Sequence, residues 1–583
     1  MNWLYRKQLS VNANQFAVHR FPILLFLALL LILAWPWITI HEAQAQDTAV
    51  SPLLTGRIQD VQGQPIFDAQ VTVYSGDAIL AQAVSQDDGR YTLLLVAGDS
   101  IPDEMTIRVE RHHFKEMDYT VKSSSIASLQ QSNLLHLPII ILERRLTPGF
   151  WIATLVFIGM LALIALGKLH NTLAALLGTS IIFAVSYLGP PLYEGLYIFH
   201  FEEALRYIDW NVIFLIMGMM IVIAVVERTG IFQWAAYMAY RLSGGQAWLL
   251  VIILMFITGV ASAFLDNVTT MLLMTPVTIR IAMSLGINPL ALLMPEVMAS
   301  NVVGISTLVG TPTNILIGSY GGIGFNDFLV NLTPGVILAL VGLILYNLFI
   351  FRRDLQLPST EGGVSEVLLQ RLAERGRITE PDHLKKAGVV GAGMILLFVL
   401  GERVHLLPSV TAVMGATALL VWIKPDIEEM IEAVDWTTLV FFITLFISVG
   451  AIQEVGLISF IASGIGRLVG ENLTLTMLAI IWLSAMLSTV IANIPFTAAM
   501  LPVVGFLSGT VPGAHSKVLF YCLSVGSAMG GNGSLIGASA NMVTAGIAER
   551  AGSSITYMYF LKKGFPALLI TVGLATIWLF IRF

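Results

Sequence analysis

The sequence predicts a polytopic α-helical membrane protein with inverted repeats, preceded by a small extracytoplasmic β-sandwich. Hydrophobic residues make up 56% of the 583 residues and charged residues only 12%, about half the charged fraction that is typical of a soluble protein. Apolar stretches of about 20 residues, each long enough to cross about 30 Å of hydrocarbon, recur from residue 149 to the C-terminus. An internal duplication, in which residues 434–472 repeat the pattern of residues 208–246, predicts the repeats.

The first 45 residues predict a signal peptide or a first transmembrane helix. Basic residues come first and an apolar run follows over residues 21–40. Ala43 and Ala45 have the A-x-A spacing of a signal-peptidase site. The run is long for a cleaved signal, so the uncleaved helix stays open. Both interpretations place the following residues outside the cytoplasm.

Residues 51–145 predict the β-sandwich. They are polar and alternate with a period of two, as in residues 69–74, and turn signals such as residues 87–90 separate the alternating runs. The pattern resembles the carboxypeptidase-regulatory-like domain, and the resemblance implies an adhesive or spacer module and not a peptidase. We interpret His112 and His113 as surface side chains, because no third metal ligand lies near them in the sequence.

The membrane part is predicted to contain two repeats, residues 149–351 and 387–583, joined by a cytoplasmic loop at residues 352–386. The predicted spans cover residues 150–167, 171–189, 211–228, 289–320 and 332–351 in the first repeat, and residues 387–401, 408–424, 435–454, 516–548 and 564–582 in the second. In each repeat the fourth span is predicted to be a broken helix. The segments 247–286 and 474–511 are apolar but interrupted in the middle, which predicts two re-entrant hairpins.

The number of crossings predicts the orientation of the repeats. Five crossings is an odd number, so the second repeat is expected to enter the membrane upside down relative to the first. The positive-inside rule agrees, because the most basic loop of the chain, residues 352–386, follows a span that ends inside. The copies align at an offset of 226 or 227 residues, and the aligned pairs include Asp209 with Asp435, Asn267 with Asn493, Gly310 with Gly537, and Asn314 with Asn541.

The hairpin tips carry the first candidate substrate- and ion-binding residues. A helix that stops inside the membrane leaves backbone groups without partners; its N-terminal end favours an anion, whereas C-terminal ends and unwound carbonyls favour a cation. The candidates are Asn267, Thr269 and Thr270 in the first tip and Asn493, Pro495 and Thr497 in the second. The alternative is that the asparagines cap the half-helices and satisfy each other.

The broken helices carry the second set. Glycine permits the backbone angles of an unwound helix and proline removes a donor, so freed carbonyls could bind Na⁺. The candidates are Ser306, Thr307, Gly310, Thr311, Pro312 and Asn314 in the first repeat and Asn532, Ser534, Gly537 and Asn541 in the second. Possible Na⁺ ligands are Asn267, Gly310, Asn314, Asn493, Gly537 and Asn541. The alternative is close packing of small residues.

Acidic residues add one further candidate. Asp266 is the carboxylate at a hairpin tip, and its counterpart in the second repeat is Ala492. An intramembrane acid is a functional hypothesis by default, so Asp266 could bind a cation or carry a proton. Four other charged residues lie near predicted span ends and are interpreted as interfacial: Glu227, Arg280, Glu296 and Glu454.

Enzymatic motifs do not account for this chain. It has no Walker sequence, and no zinc-protease or nucleophile-elbow motif stands where its chemistry would work. We therefore expect no catalytic activity, and no cofactor other than Na⁺ or H⁺ as a coupling ion. The single cysteine, Cys522, excludes intrachain disulfides.

Three segments, FLDNVTTMLLMTPVTIR, NIPFTAAMLPV and GGNGSLIGASANMVTAGIAERAG, resemble the ion transporter superfamily of arsenite permeases, sodium/proton antiporters and divalent anion/sodium symporters, and within it the P-protein-like permeases. The resemblance covers residues 150–583. It implies a dimerising scaffold domain and a transport domain that moves as an elevator. It also implies sodium and carboxylate sites at Asn267, Thr269, Thr311, Asn314, Asn493, Thr497 and Asn541.

The sequence departs from the P-protein pattern at two places. Ala492 replaces the aspartate usual in the second hairpin, and GTPTN, with Thr311 and Thr313, replaces GDPPN in the first broken helix. Fewer carboxylates favour the sodium-symporter pattern over proton antiport.

The observations together predict a secondary active transporter that moves a small anion, a carboxylate or an inorganic oxyanion, coupled to Na⁺ or H⁺. One alternative is a Na⁺/H⁺ antiporter or arsenite-type export permease with Asp266 as its titrating group. The other is a membrane-anchored sensor or adhesion protein with a degenerate transporter core. We expect a multi-pass homodimer in the plasma (inner) membrane that contacts lipid and a small anionic substrate, and no nucleic acid.

Overall fold

The computed structural model describes residues 52–356 and 377–583, apart from residues 62, 96–100, 103 and 471. The predicted signal or first helix and the middle of the basic loop fall outside the described residues. The chain divides into two compact units, of which the first ends at Glu143 and the second begins at Arg144.

The first unit is a β-sandwich with one helix, α1 (Ser123–Ser132). Its strands are β1 (Leu53–Asp60), β2 (Gln70–Ser75), β3 (Ala78–Val84), β4 (Arg90–Leu94), β5 (Thr106–Glu110), β6 (Met117–Thr120), β7 (Leu134–His136) and β8 (Ile140–Leu142). One sheet has β1 at its centre, antiparallel to β4 and parallel to β7 and β8, and the other has the order β3-β2-β5-β6. Both sheets contribute to one apolar core.

This architecture confirms the predicted sandwich, because alternate residues of the strands point into the shared core. Val71, Val73, Ile107 and Val109 have no exposed surface. The prediction that His113 lies at the surface is wrong, because its side chain is 6% exposed. The His113 backbone lies in the left-handed region, with a φ of 67°.

The second unit consists of two repeats of ten helices each among the described residues. The first contains α2 (Pro148–Ala165), α3 (Asn171–Leu188), α4 (Phe201–Arg206), α5 (Trp210–Arg228), α6 (Ile231–Leu242), α7 (Ala247–Phe264), α8 (Asn267–Leu285), α9 (Leu290–Val303), α10 (Pro312–Gly321) and α11 (Phe325–Ile350). The second contains α12 (Pro381–Leu400), α13 (Pro408–Ile423), α14 (Ile427–Glu432), α15 (Trp436–Glu454), α16 (Leu457–Val469), α17 (Leu473–Ser488), α18 (Asn493–Thr510), α19 (Val518–Gly530), α20 (Ser539–Arg550) and α21 (Tyr557–Arg582). The labels of equivalent helices in the two repeats therefore differ by ten, as those of α2 and α12 do.

The hairpins and broken helices of the predicted fold are confirmed. We call α7–α8 hairpin 1, α17–α18 hairpin 2, α9–α10 broken helix 1 and α19–α20 broken helix 2. Each break contains a short 3₁₀ turn, at Gly304–Ser306 and at Gly531–Gly533. Ten described helices are long and apolar enough to cross a membrane; their orientation in the membrane stays a prediction.

Some helix boundaries differ from the predicted ones. The helices α11, α12 and α21 begin six or seven residues earlier than predicted, at Phe325, Pro381 and Tyr557. The beginnings of α11 and α12 contain polar or charged residues, and Lys562 and Lys563 interrupt the apolar sequence of α21, so apolar periodicity alone detects only the part that follows. The short helices α6 and α16 were not predicted as elements; α6 buries only one face.

The two repeats exchange packing partners. The helix α3 packs against α15, and its equivalent α13 packs against α5; likewise α10 packs against α18, and α20 against α8. Hydrogen bonds support the exchange: Thr179 Oγ1 on α3 donates to the Thr444 carbonyl on α15 at 3.0 Å. The second half of each broken helix thus lies against the hairpin of the other repeat.

Candidate functional site

Each hairpin is bonded to the broken helix of its own repeat through the same pair of hydroxyl groups. One hydroxyl on the first hairpin helix donates to the broken helix, and one hydroxyl on the unwound segment donates back. The donor–acceptor pairs are Ser262 Oγ to Ser300 O (3.0 Å) and Thr307 Oγ1 to Ala263 O in the first repeat, and Ser488 Oγ to Ser527 O (2.6 Å) and Ser534 Oγ to Thr489 O (2.5 Å) in the second. The predicted ligands Thr307 and Ser534 therefore fix the unwound segments in place.

Gly310 and Gly537 allow the backbones of these segments to approach closely. A Cβ atom at Gly310 would lie 2.3 Å from the Gly304 carbonyl oxygen and 2.7 Å from that of Ser262. A Cβ atom at Gly537 would lie 2.9 Å from the carbonyl oxygens of Gly531 and Ser488. The glycines are therefore required for contact between tip and unwound segment.

We expect Gly310→Ala to lower the free energy of unfolding by about 1–3 kcal/mol, because the atoms it meets are backbone atoms that cannot rotate away. Gly537→Ala should cost less, since its nearest distance is longer. Thermal denaturation of the purified variants measures both. Gly573→Ala, where the added methyl meets nothing within 4 Å, is the control. Equal effects at Gly310 and Gly573 would contradict this account.

Asn314 and Asn541 are equivalent residues that fold back onto the unwound segments. Asn314 Nδ2 donates to the carbonyls of Ile305 (2.9 Å) and Thr307 (2.8 Å). Asn541 Nδ2 donates to the carbonyls of Gly531 (2.8 Å) and Ser534 (2.9 Å). Carbonyls freed by the helix breaks are thus satisfied by side-chain amide groups of the same repeat.

Asn301 on α9 links the two repeats, and it is not among the residues predicted from the sequence. Its Oδ1 accepts a hydrogen bond from Asn267 Nδ2 at 2.8 Å. Its Nδ2 donates to Asn532 Oδ1 and to Asn541 Oδ1, each at 3.0 Å. The side chain is 1% exposed. Asn301 therefore joins the tip of hairpin 1 to broken helix 2, and we call these four side chains the asparagine cluster.

A second hydrogen bond between the repeats is donated by the second repeat to the first. Ser524 Oγ on α19 donates to Asn314 Oδ1 at 2.6 Å, so broken helix 2 also bonds to broken helix 1. The Asn493 N–H at the tip of hairpin 2 donates to the Gly537 carbonyl at 3.3 Å. The beginnings of α8, α10, α18 and α20 consequently meet in one region, where the predicted residues of both repeats come together.

The four helix beginnings differ in their caps. Asp266 Oδ1 accepts from the N–H groups of Val268 (2.9 Å) and Thr269 (3.0 Å), and Oδ2 accepts from Thr269 Oγ1 (2.5 Å). Thr311 Oγ1 accepts from the Asn314 N–H at 3.2 Å. The helices α18 and α20 have alanine at the same positions and no side-chain cap. The first repeat caps these helix beginnings with side chains, and the second does not, although the Asn493 N–H is bonded to the Gly537 carbonyl.

Asn493, at the open beginning of α18, has a side chain that is 4% exposed. In the part of the chain that the structure describes, this amide forms no side-chain hydrogen bond, whereas its equivalent Asn267 bonds to Asn301. Thr497 Oγ1 donates to the Asn493 carbonyl at 2.7 Å, so it supports the first turn of α18. Pro495 reduces the number of free backbone N–H groups there, because proline has no backbone N–H.

The remaining predicted residues form no hydrogen bond between the repeats in the described part of the chain. Ser306 Oγ donates to the Val303 carbonyl at 2.6 Å. Thr270 Oγ1 is buried and without a hydrogen-bond partner. Pro312 is the first residue of α10, where its missing N–H costs nothing.

A cavity of about 460 Å³ lies beside this region. It is bordered by α5 and α13 on one side and by α10 on the other. Its lining includes Asn211, Ser409 and Glu402, and it reaches Leu308 in the unwound segment of broken helix 1. The cavity lies between α10 and the exchanged α5–α13 pair, although α10 and α5 also contact each other.

Two of the charged residues predicted to be interfacial are buried: Glu296 has no exposed surface, and Glu454 is 7% exposed. The helix α9 begins at Leu290 and runs through the interior of the bundle, so Glu296 lies well inside it. The apolar pattern alone placed a span end near this residue.

Comparison with known proteins agrees with this architecture. A model of the citrate transporter family CitMHS matches residues 161–516. An uncharacterized transporter of Mycobacterium bovis is 36% identical over 439 residues, which cover 74% of this chain and 98% of that protein. A 46 kDa membrane protein of Mycobacterium leprae is 37% identical over 433 residues, with the same coverage.

More distant similarities reach animal proteins and a solved structure. The human P protein is 32% identical over 541 residues, covering 78% of this chain and 63% of that protein. The structure of the YdaH transporter of Alcanivorax borkumensis aligns with a TM-score of 0.46 and 13% identity, covering 74% of this chain and 98% of that one. The predicted resemblance to the ion transporter superfamily and to P-protein-like permeases is confirmed. The chain therefore belongs to the CitMHS citrate transporter family and is a multi-pass membrane transporter.

Proposed function

We propose that this chain is a secondary active transporter that carries a small carboxylate, of which citrate is the first to test, together with a cation. The observation that supports it best is the inequality of the two half-sites. The beginnings of α18 and α20 have no side-chain acceptor, and Asn493 has an unpartnered amide beside them. Free N–H groups and the positive end of the helix dipole favour an anion.

The charge of the region supports coupling to a cation. Among the described residues, no lysine or arginine takes part in the hydrogen bonds that join the hairpins to the broken helices. No basic side chain in these bonds therefore compensates the charge of a bound carboxylate. A multiply charged anion would then need help beyond the helix dipoles, each of which amounts to about half an elementary charge. A co-transported cation supplies that compensation.

The packing supports an elevator-type motion. The hairpins and broken helices interlock through hydroxyl and amide hydrogen bonds, so they would move as one body. The cavity between α10 and the α5–α13 pair lies on the boundary along which that body would slide.

Uptake of radiolabelled citrate into proteoliposomes tests this function. We expect accumulation when an inward gradient of Na⁺ or H⁺ is imposed, and none in protein-free vesicles. Absence of gradient-driven flux of citrate, other carboxylates and inorganic oxyanions would contradict the proposal. Deletion of residues 51–145 should leave uptake intact, whereas a sensor or adhesion protein would show no uptake with or without them.

The antiporter alternative is tested at Asp266. Both Asp266 oxygens accept hydrogen bonds from the first turn of α8, and asparagine caps a helix as well as aspartate does. We therefore expect Asp266→Asn to retain uptake with an unchanged pH profile, and Asp266→Ala to lose about 1 kcal/mol of stability. A flattened pH profile in Asp266→Asn would instead identify Asp266 as the titrating group.

A further inference from the structure

Glu296 is a carboxyl group enclosed by three helices of the first repeat. Its Oε1 accepts hydrogen bonds from Thr258 Oγ1 on α7 at 3.2 Å and from Thr278 Oγ1 on α8 at 3.0 Å. Its Oε2 is buried and has no hydrogen-bond partner among the described residues. The carboxyl therefore lies where hairpin 1 packs against broken helix 1, and half of its polar surface is unsatisfied.

The second repeat shows that this packing does not require a carboxyl group. The residue equivalent to Glu296 is Leu523, which is fully buried between the equivalent helices. Ser484, the equivalent of Thr258, has a buried hydroxyl without a partner. The same helices pack around leucine in one copy and glutamate in the other, so the glutamate serves something other than packing.

Among the residues that the structure describes, no charged side chain pairs with Glu296. The helices packed against α9 are α7, α8, α11, α19, α20 and α21. Their titratable side chains, with the cap of α8, are Asp266, Arg280, Asp327, Tyr346, Tyr521, Cys522, Glu549, Arg550, Tyr557, Tyr559, Lys562, Lys563 and Arg582. None of them forms an ion pair or hydrogen bond with Glu296 in the described ranges. An ionised carboxylate in such a dry site costs several kcal/mol unless a cation joins it.

The oxygen count favours a proton as that cation. Hard metal cations commonly take about six or more oxygen ligands. The hydrogen bonds of Glu296 join four oxygen atoms, its own two and one each from Thr258 and Thr278, whose hydroxyls already donate to Oε1. A proton needs only the free Oε2, where it neutralises the group.

We propose that Glu296 is a proton-binding site and that its proton is the coupling ion of the transport cycle. The site lies on the same half-helix as Asn301, five residues earlier, and touches both helices of hairpin 1. A proton bound to Glu296 removes one negative charge from the hairpins and broken helices, which would cross the membrane together as one body. The coupling role rests on the proposed function, whereas the binding of a proton does not.

Infrared spectroscopy of the purified full-length protein tests proton binding without any substrate. A protonated carboxylic acid has a carbonyl stretch that shifts when water is exchanged for D₂O. We expect such a band at neutral pH in the wild type, its loss in Glu296→Gln, and its retention in Glu454→Gln. Glu454 is a matched control, because it is also buried in a membrane helix but bonds to the Tyr207 hydroxyl at 2.5 Å.

Two results would overturn proton binding: an equal band in Glu296→Gln, or a band that disappears when Na⁺ is added at constant pH, which would assign the site to Na⁺. If Glu296→Gln does not fold, Thr278→Val removes one donor to Oε1 and should shift the frequency of the band. An unshifted band in that variant would count against Glu296 as its source.

Proteoliposomes test the coupling. With an inward proton gradient, Glu296→Gln should lose at least 10-fold in citrate accumulation but retain citrate counterflow, which needs no gradient; Glu454→Gln should retain both. Full accumulation in Glu296→Gln would overturn the coupling role. If the wild type moves no citrate at all, the proposed substrate fails, and the infrared result alone decides the proton site.

Discussion

Asn301→Leu is expected to abolish uptake and to destabilise the protein by several kcal/mol. The substitution removes three hydrogen bonds at once and leaves Asn267 Nδ2, Asn532 Oδ1 and Asn541 Oδ1 without this partner in a buried site. Each buried polar group left unpaired costs about 1–3 kcal/mol. Because Asn301 joins hairpin 1 to broken helix 2, its loss should also separate the two half-sites. Thermal denaturation and proteoliposome uptake measure the two effects.

Asn347→Leu is the matched control for this substitution. Asn347 on α11 is fully buried, and neither its Oδ1 nor its Nδ2 has a hydrogen-bond partner. Replacing an unsatisfied polar group with an apolar group of similar size is neutral or stabilising. The same chemical change should therefore have opposite effects at the two positions. If both variants lose the same stability, the hydrogen bonds of the asparagine cluster do not stabilise the protein as we expect.

Ala492→Asp is expected to abolish anion binding while leaving the protein folded. The substitution gives hairpin 2 the residue that hairpin 1 has at the equivalent position. Its carboxylate would cap the open beginning of α18, as Asp266 caps α8, and a cap contributes about 1 kcal/mol. The same charge would occupy the proposed anion site and repel a carboxylate. We expect at least a 100-fold loss of citrate affinity, about 2.8 kcal/mol.

Ala492→Asn separates charge from size in this experiment. Asparagine is nearly isosteric with aspartate and also caps helices well, but it carries no charge. Titration calorimetry should therefore show a much smaller loss of affinity for Ala492→Asn than for Ala492→Asp. Equal losses in the two variants would mean that the side chain blocks the site by volume, and the argument from charge would fail.

Most of the membrane fold could be predicted because the duplication constrains it twice. Asn267 and Asn493 mark hairpin tips, and Gly310 and Gly537 mark broken segments, since glycine, proline and asparagine stand out in apolar sequence. Each interpretation made in one copy is checked by the other. Helix starts such as Phe325 were placed too late, because their first turns are polar and lack the apolar signal.

The residues that the sequence did not reveal are those whose role depends on long-range contacts. Asn301 lies outside the glycine-rich segment, and its partners Asn532 and Asn541 are more than 200 residues away. Glu296 was assigned to an interface because hydropathy measures span length and not burial. In both cases comparison of the repeats was the available signal, since their counterparts, Ala528 and Leu523, are apolar. Differences between the copies indicate function where similarities indicate architecture.

A structure of the full-length protein in lipid nanodiscs with citrate bound would locate the anion site. We expect density for a carboxylate at the beginnings of α18 and α20, within hydrogen-bonding distance of the Asn493 side chain and the Ser539 N–H. Asp266 should keep its hydrogen bonds to the first turn of α8. Citrate density at the tip of hairpin 1 with Asp266 displaced, or in the cavity beside α5 alone, would contradict the assignment of the anion to the second repeat.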